Sequence, residues 1–123
     1  MGRDPAAFVL QHAVDAHAAQ TATDRTRPIA LIFALVGLYL RVEKGLSGKQ
    51  VQQVHMRLGR RKRHWPAIPL PRDRGAMTPR DVLAVPPGAE RDRAIDAWCK
   101  SVWDAFAGSR ETIVELLREH QIS

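Results

Sequence analysis

The residues best equipped for chemistry stand close together near the start of the chain. "LQHAVDAHAAQ", Leu10 to Gln20, holds two histidines, an aspartate and two glutamines in eleven residues. Imidazole and carboxylate are the groups of general acid–base catalysis and of metal ligation. Helical spacing limits what they can do together. His12 and His17 are five residues apart, which turns their side chains about 140° from each other on a helix. Chelating pairs on one helix want a spacing of three or four. His12 and Asp15 meet that spacing but lie off the main apolar stripe, and an exposed hydrogen-bonded pair is expected there. No bound metal is expected. His17 shares a stripe with Leu10, Val14 and Thr21 and should face the core or a pocket. Two readings of it stay open. It is a core histidine with a satisfied ring N–H, or it works as an acid or base in a small helical pocket with Asp15, Gln20, Tyr39 and Glu43.

Tyr39 and Glu43 are four residues apart at the end of a second helix. Glu43 stands near Arg41 and Lys44 in sequence, and an ion pair is its plain reading; a carboxylate aimed at a pocket with His17 and Gln20 is the sharper one. "RLGRRKRHW", Arg57 to Trp65, is the most basic run. Arg57, Arg60, Arg61, Lys62 and Arg63 could contact phosphates, with Trp65 available to stack. A solvated basic helix end explains the same residues, since cations are favourable at a helix C-terminus. The basicity is local. Arg41 to Arg63 holds eight Lys/Arg against one acid, and the rest holds eleven basic and twelve acidic residues. Such a patch suits nucleic acid, an anionic surface or an acidic partner. Trp98, Trp103 and Phe106 read as core rather than as the lining of a ligand cavity. Cys99 has no histidine four residues away and reads as a packing residue. Phosphate loops, nucleophile elbows and zinc clusters have no counterpart in the chain, and no cofactor is expected.

The elements that must position these groups are helices. At 123 residues the expectation is one domain over 1–123. The run "IALIFALVGLYL", Ile29 to Leu40, is twelve residues, too short to span a bilayer and suited to a buried helix. No membrane association is expected. A single cysteine rules out an internal disulfide, and with no signal-peptide pattern the expected location is cytoplasmic. Helix one should run from Pro5 to Gln20 after an Asp4 cap. Helix two should start near Pro28, run to Lys44 and end at Gly45. Ser47-Gly-Lys-Gln50 reads as a capping box opening helix three, over 48–62, with Leu46 and Val51 placed as a hydrophobic staple. Three prolines in "PAIPLP" make an extended connector, pinned by Trp65, Ile68 and Leu70. Thr78-Pro79 should open a short helix through Ala84. One long helix should start near Glu90 and pass through Gly108 in register to the end. The fold class is therefore all-α: a compact bundle of three to four main helices, a proline-rich connector and one short extra helix.

With those elements in place, the chain resembles a bacterial all-helical family catalogued as a domain of unknown function. The matching stretches are "VDAHAAQ", "LVGLYLRVEKG", "MTPRDVLA" and "AWCKSVWDAF", in order along most of the chain. In the family the resemblance points to, tyrosine stands at the position of His17, histidines tend to stand at those of Leu10, Thr21 and Ala34, and many members carry a cysteine pair ahead of the first helix. This chain departs at each of those points. The resemblance implies a helical fold and supplies no activity. The first functional expectation is a cytoplasmic binding or accessory protein, its partner a protein or a small molecule, with homo-oligomerisation open. The second is a small enzyme built around His17. The third is a weak, sequence-independent nucleic-acid binder through Arg57 to Arg63.

Overall fold

A computed structural model describes residues 5–61 and 64–120, with side chains from Leu10 onward. Its α-helices are α1 (Pro5–Gln20), α2 (Pro28–Val42), α3 (Gly48–Gly59), α4 (Pro79–Leu83), α5 (Ala89–Ala105) and α6 (Arg110–Glu119), with a 3-10 turn at Ala107–Ser109. The described residues contain no strand. The fold is all-α.

The sequence of α2 is apolar all round, and the helix sits at the centre, touching α1, α3, α5 and α6. From Leu31 to Leu40 every residue except Phe33 is buried. Gly45, at φ 69°, turns the chain out of α2, its N–H bonding to Arg41 and that of Leu46 to Leu40. The expected capping box then starts α3. Gln50 N–H donates to Ser47 Oγ at 3.2 Å, and Ser47 N–H donates to Gln50 Oε1 at 2.9 Å. Val51, Val54 and Leu58 are buried. The helix stops at Gly59, short of the expected Lys62. Lys62 and Arg63 lie outside the described residues.

The connector lies across the bundle with Ile68 buried and Trp65, Leu70 and Met77 half-buried on the core. Its anchor is Arg74, whose guanidinium donates to the carbonyls of Ala19, Gln20 and Ala22. These belong to the last turn of α1 and the loop after it, where carbonyls lack helical partners. Gly75 (φ 96°) passes so close to Ser101 that a Cβ there would strike its side chain and backbone.

Two expectations fail here. The last helix is not continuous. The chain breaks into the 3-10 turn around Gly108, and α6 turns back against α2. Glycine gives little helical preference to resist the break, while Phe106, Ser109 and Ile113 stay buried on both sides of it. The second failure is the orientation of α1. Leu10 is 60% exposed and Val14 59%, and His17 and Thr21 are also exposed. The inner face is instead His12, Asp15, Ala16 and Ala19. Close approach explains the choice. Gly37 of α2 lies against Asp15 so tightly that a Cβ would overlap the carboxylate. The alanines permit that approach, whereas leucine and valine at the interface would hold the helices apart.

Candidate functional site

Turning α1 over moves the buried chemistry from His17 to His12 and Asp15. Each is 3% exposed, three residues apart on α1 and facing α2 and α5. The exposed hydrogen-bonded pair expected at these positions is not formed. Asp15 Oδ1 accepts from Gln11 Nε2 at 3.0 Å, while Asp15 Oδ2 and His12 Nδ1 have no hydrogen-bond partner among the described residues. Burial disfavours the charged form of each group. It lifts the Asp15 carboxyl from 3.8 to about 8, against the opposing bond from Gln11. It lowers His12 from 6.5 to about 4, helped by the positive charge of Arg41. Both side chains are therefore neutral near pH 7.

The surroundings are polar at one edge. Arg41 of α2 forms a two-pronged ion pair with Asp96 of α5, at 2.8 and 2.9 Å, and also reaches the Leu46 carbonyl. Cys99 of α5 is fully buried and its thiol donates to the His12 carbonyl at 3.4 Å. Burial, followed by the negative charges of Asp96 and Asp15, pushes that thiol up to about 12. It is a packing residue, as expected. An open cleft of about 360 Å³ lies beside the ion pair, lined by Arg41, Val42, Gly45, Asp96 and Lys100. Among the described residues no group of three or more His, Cys, Asp or Glu side chains is placed to hold a metal ion.

The four residues expected to converge on His17 do not. His17 faces solvent. Gln20 is committed elsewhere: its amide donates to the Met77 and Arg74 carbonyls and its oxygen accepts from Trp98 Nε1 at 3.0 Å. Glu43 does form an ion pair, but with Arg110 of α6 rather than with Arg41 or Lys44. Arg110 grips both carboxylate oxygens, and Trp103 Nε1 donates to one of them at 2.8 Å. The bonds from Arg110 hold the Glu43 carboxyl below its usual range. Tyr39 is buried, with its ring centre 5.9 Å from that of Trp103. These contacts join helices. Trp98, Trp103 and Phe106 are core residues.

In the basic run, Arg57, Arg60 and Arg61 are exposed. Arg61 reaches the His120 carbonyl at the end of α6 at 3.4 Å. Trp65 is half-buried with its ring edge-on to Phe33, and Phe33 stacks on His55. His55 was not singled out from the sequence. Its Nε2 bonds the Phe33 carbonyl at 2.8 Å, and burial lowers its pKa. The sequence does hold a signal for the inverted α1. Asp15 is the only formally charged residue of that helix, and a lone glycine inside the apolar α2 marks a close approach of another backbone.

Of the comparisons with known proteins, the one with family models finds a match to the chain. No curated protein and no solved structure matches it. A family model described as "Family of unknown function (DUF5946)" matches residues 2–107, from the first helix to the break after α5. The match covers well over half of the sequence, and the chain belongs to that family of unknown function.

Proposed function

We propose that this domain is a helical binding or accessory protein that docks a protein partner on the outer face of α1. One observation carries the reading. The solvent side of a helix in a chain with 26% charged residues presents Leu10, Val14, His17 and Thr21 and no Lys, Arg, Asp or Glu. The one acid of α1 is buried. A helix without a charged face has the composition of one covered on all sides, and apolar surface left together on a folded protein marks a contact site. A cytoplasmic location accords with a single reduced, buried cysteine. A photo-crosslinking residue at Val14, introduced in the producing cell, tests the reading. A discrete protein adduct is expected from Val14, lost when Leu10 is changed to Asp and absent from the same probe at Gln53. Adducts from Gln53 but none from Val14 would overturn it.

A second reading, small-molecule binding or acid–base chemistry, is favoured by the unpartnered pair His12 Nδ1 and Asp15 Oδ2. Buried polar atoms without partners cost stability and persist where they serve a site. Screening small polar molecules by ligand-observed NMR, with Asp15→Asn as the control, tests this. Binding that survives the substitution unchanged would count against it.

A further inference from the structure

The break at Gly108 leaves a small cleft between the connector and the end of α5. It holds about 190 Å³, below the ~300–1,000 Å³ of sites for drug-sized molecules, and has room for a single ring or a short chain. Pro69, Leu70 and Pro71 line it from the connector, and Ala105 and Phe106 from the end of α5. These walls are apolar, and among the described residues no charged side chain lines the cleft. Its one polar side chain belongs to Ser109, which is 5% exposed. A lining residue buried to that degree keeps its remaining surface toward the cleft.

Ser109 stands at the N-cap position of α6, where serine is favoured because its oxygen accepts from the first turn of the helix. Here it makes no such bond. A capping residue has an extended backbone, whereas the chain enters α6 from the 3-10 turn with Ser109 at φ -106° and ψ 2°. The hydroxyl has no hydrogen-bond partner among the described residues. A buried hydroxyl without a partner costs stability, and a ligand that supplies the partner removes that cost. We propose that this cleft binds a small uncharged molecule with an apolar body and one hydrogen-bonding oxygen, held by Ser109 Oγ. The hydroxyl can donate to a carbonyl or accept from an alcohol. An ionic ligand is disfavoured, because nothing in the apolar walls offsets the loss of its hydration. The site shares no residue with the outer face of α1 or with the pair His12 and Asp15, and its test is independent of both.

Phenol and benzene are the probes, alike in ring and different by one hydroxyl. Each is titrated to about 20 mM into the isotope-labelled full chain while backbone amide shifts are followed, since ligands of this size bind weakly. Saturable shifts are expected at Leu70 and from Ala105 to Ser109, with phenol bound about three- to tenfold tighter than benzene, the worth of one hydrogen bond. Ser109→Ala should remove that preference and leave benzene binding unchanged. It should not lower the denaturation midpoint, because the hydroxyl bonds nothing among the described residues. Ala105→Leu should fill the cleft and abolish the binding of both probes. Circular dichroism shows whether the variants fold, and the comparison of phenol with benzene in the unaltered chain stands without them. No saturable shift, shifts confined to another part of the chain, equal affinity for the two probes, or a preference that survives Ser109→Ala would each overturn the proposal. A marked loss of stability in Ser109→Ala would assign the hydroxyl to the fold and count against it as well.

Discussion

Asp15 is a carboxyl group held where a carboxylate does not belong. Its Oδ2 lies against Gly37, and burial keeps the proton on to about pH 8. The consequence for stability has a definite sign. Between about pH 4 and 8 the unfolded chain has lost this proton and the folded chain keeps it, so stability falls as pH rises. His12 works the other way. Lowered from 6.5 to about 4, it is neutral in the folded state while the unfolded state is protonated, and stability rises with pH over that window. His55, whose pKa burial also lowers, has a slope of the same sign as His12, so the two histidines oppose Asp15 up to about pH 6.5, and above it the slope of Asp15 prevails. Denaturant unfolding should therefore show a loss of about 2 kcal/mol between pH 6.5 and 8, at ~1.4 kcal/mol per proton per pH unit. Asp15→Asn should flatten that slope, because the amide does not titrate. An unchanged slope in the variant would place the titrating group elsewhere. Cys99, raised to about 12, does not contribute in this range.

Among the elements, the start of α3 depends most visibly on a local signal. Gly48 at its first position is a poor helix former, and the reciprocal bonds between Ser47 and Gln50 compensate for it. Ser47→Ala should cost roughly 0.5–2 kcal/mol, measured as a shift in denaturation midpoint; no loss would mean that α3 does not rely on its cap. Signals of this kind were legible in the sequence because they act within four residues. So were the apolar α2, the Gly45 turn, the proline connector pinned by Ile68, and the core placement of Trp98 and Phe106. The orientation of α1 was not legible. Its apolar stripe is regular, and periodicity alone assigns such a stripe to the core. What decides is the tight contact of Asp15 with α2 at Gly37, a pairing between residues more than twenty positions apart. The break at Gly108 was hidden for a related reason: the stripe runs through it in register, and only the packing of α6 on α2 distinguishes a bent helix from a straight one. The site expected at His17 fell with the orientation of α1, since its members belong to three separate contacts.

On the scale of the whole molecule the charge is unevenly held, and its layout argues for a modest role of the basic run. Arg57, Arg60 and Arg61 are exposed at the end of α3, yet Arg61 already reaches the last turn of α6. Glu119 stands next to His120 at that end of α6, so an acidic group shares the region with the basic run. The described residues show no helix standing out to enter a groove, and phosphate contacts by themselves carry no sequence information. Binding to DNA or RNA should accordingly be weak, indifferent to sequence and quickly lost as salt rises. With at most the five cations from Arg57 to Arg63 engaged, the slope of log affinity against log salt should be no steeper than about −5. Replacing Arg57, Arg60 and Arg61 together by Gln should weaken binding to all sequences by the same factor and flatten that slope by about 3. Fluorescence titration of labelled duplexes at several salt concentrations measures both quantities. Tight binding at physiological salt that separates one sequence from another would require base contacts from a recognition element, and would make nucleic acid, rather than a protein on the α1 face, the partner to pursue.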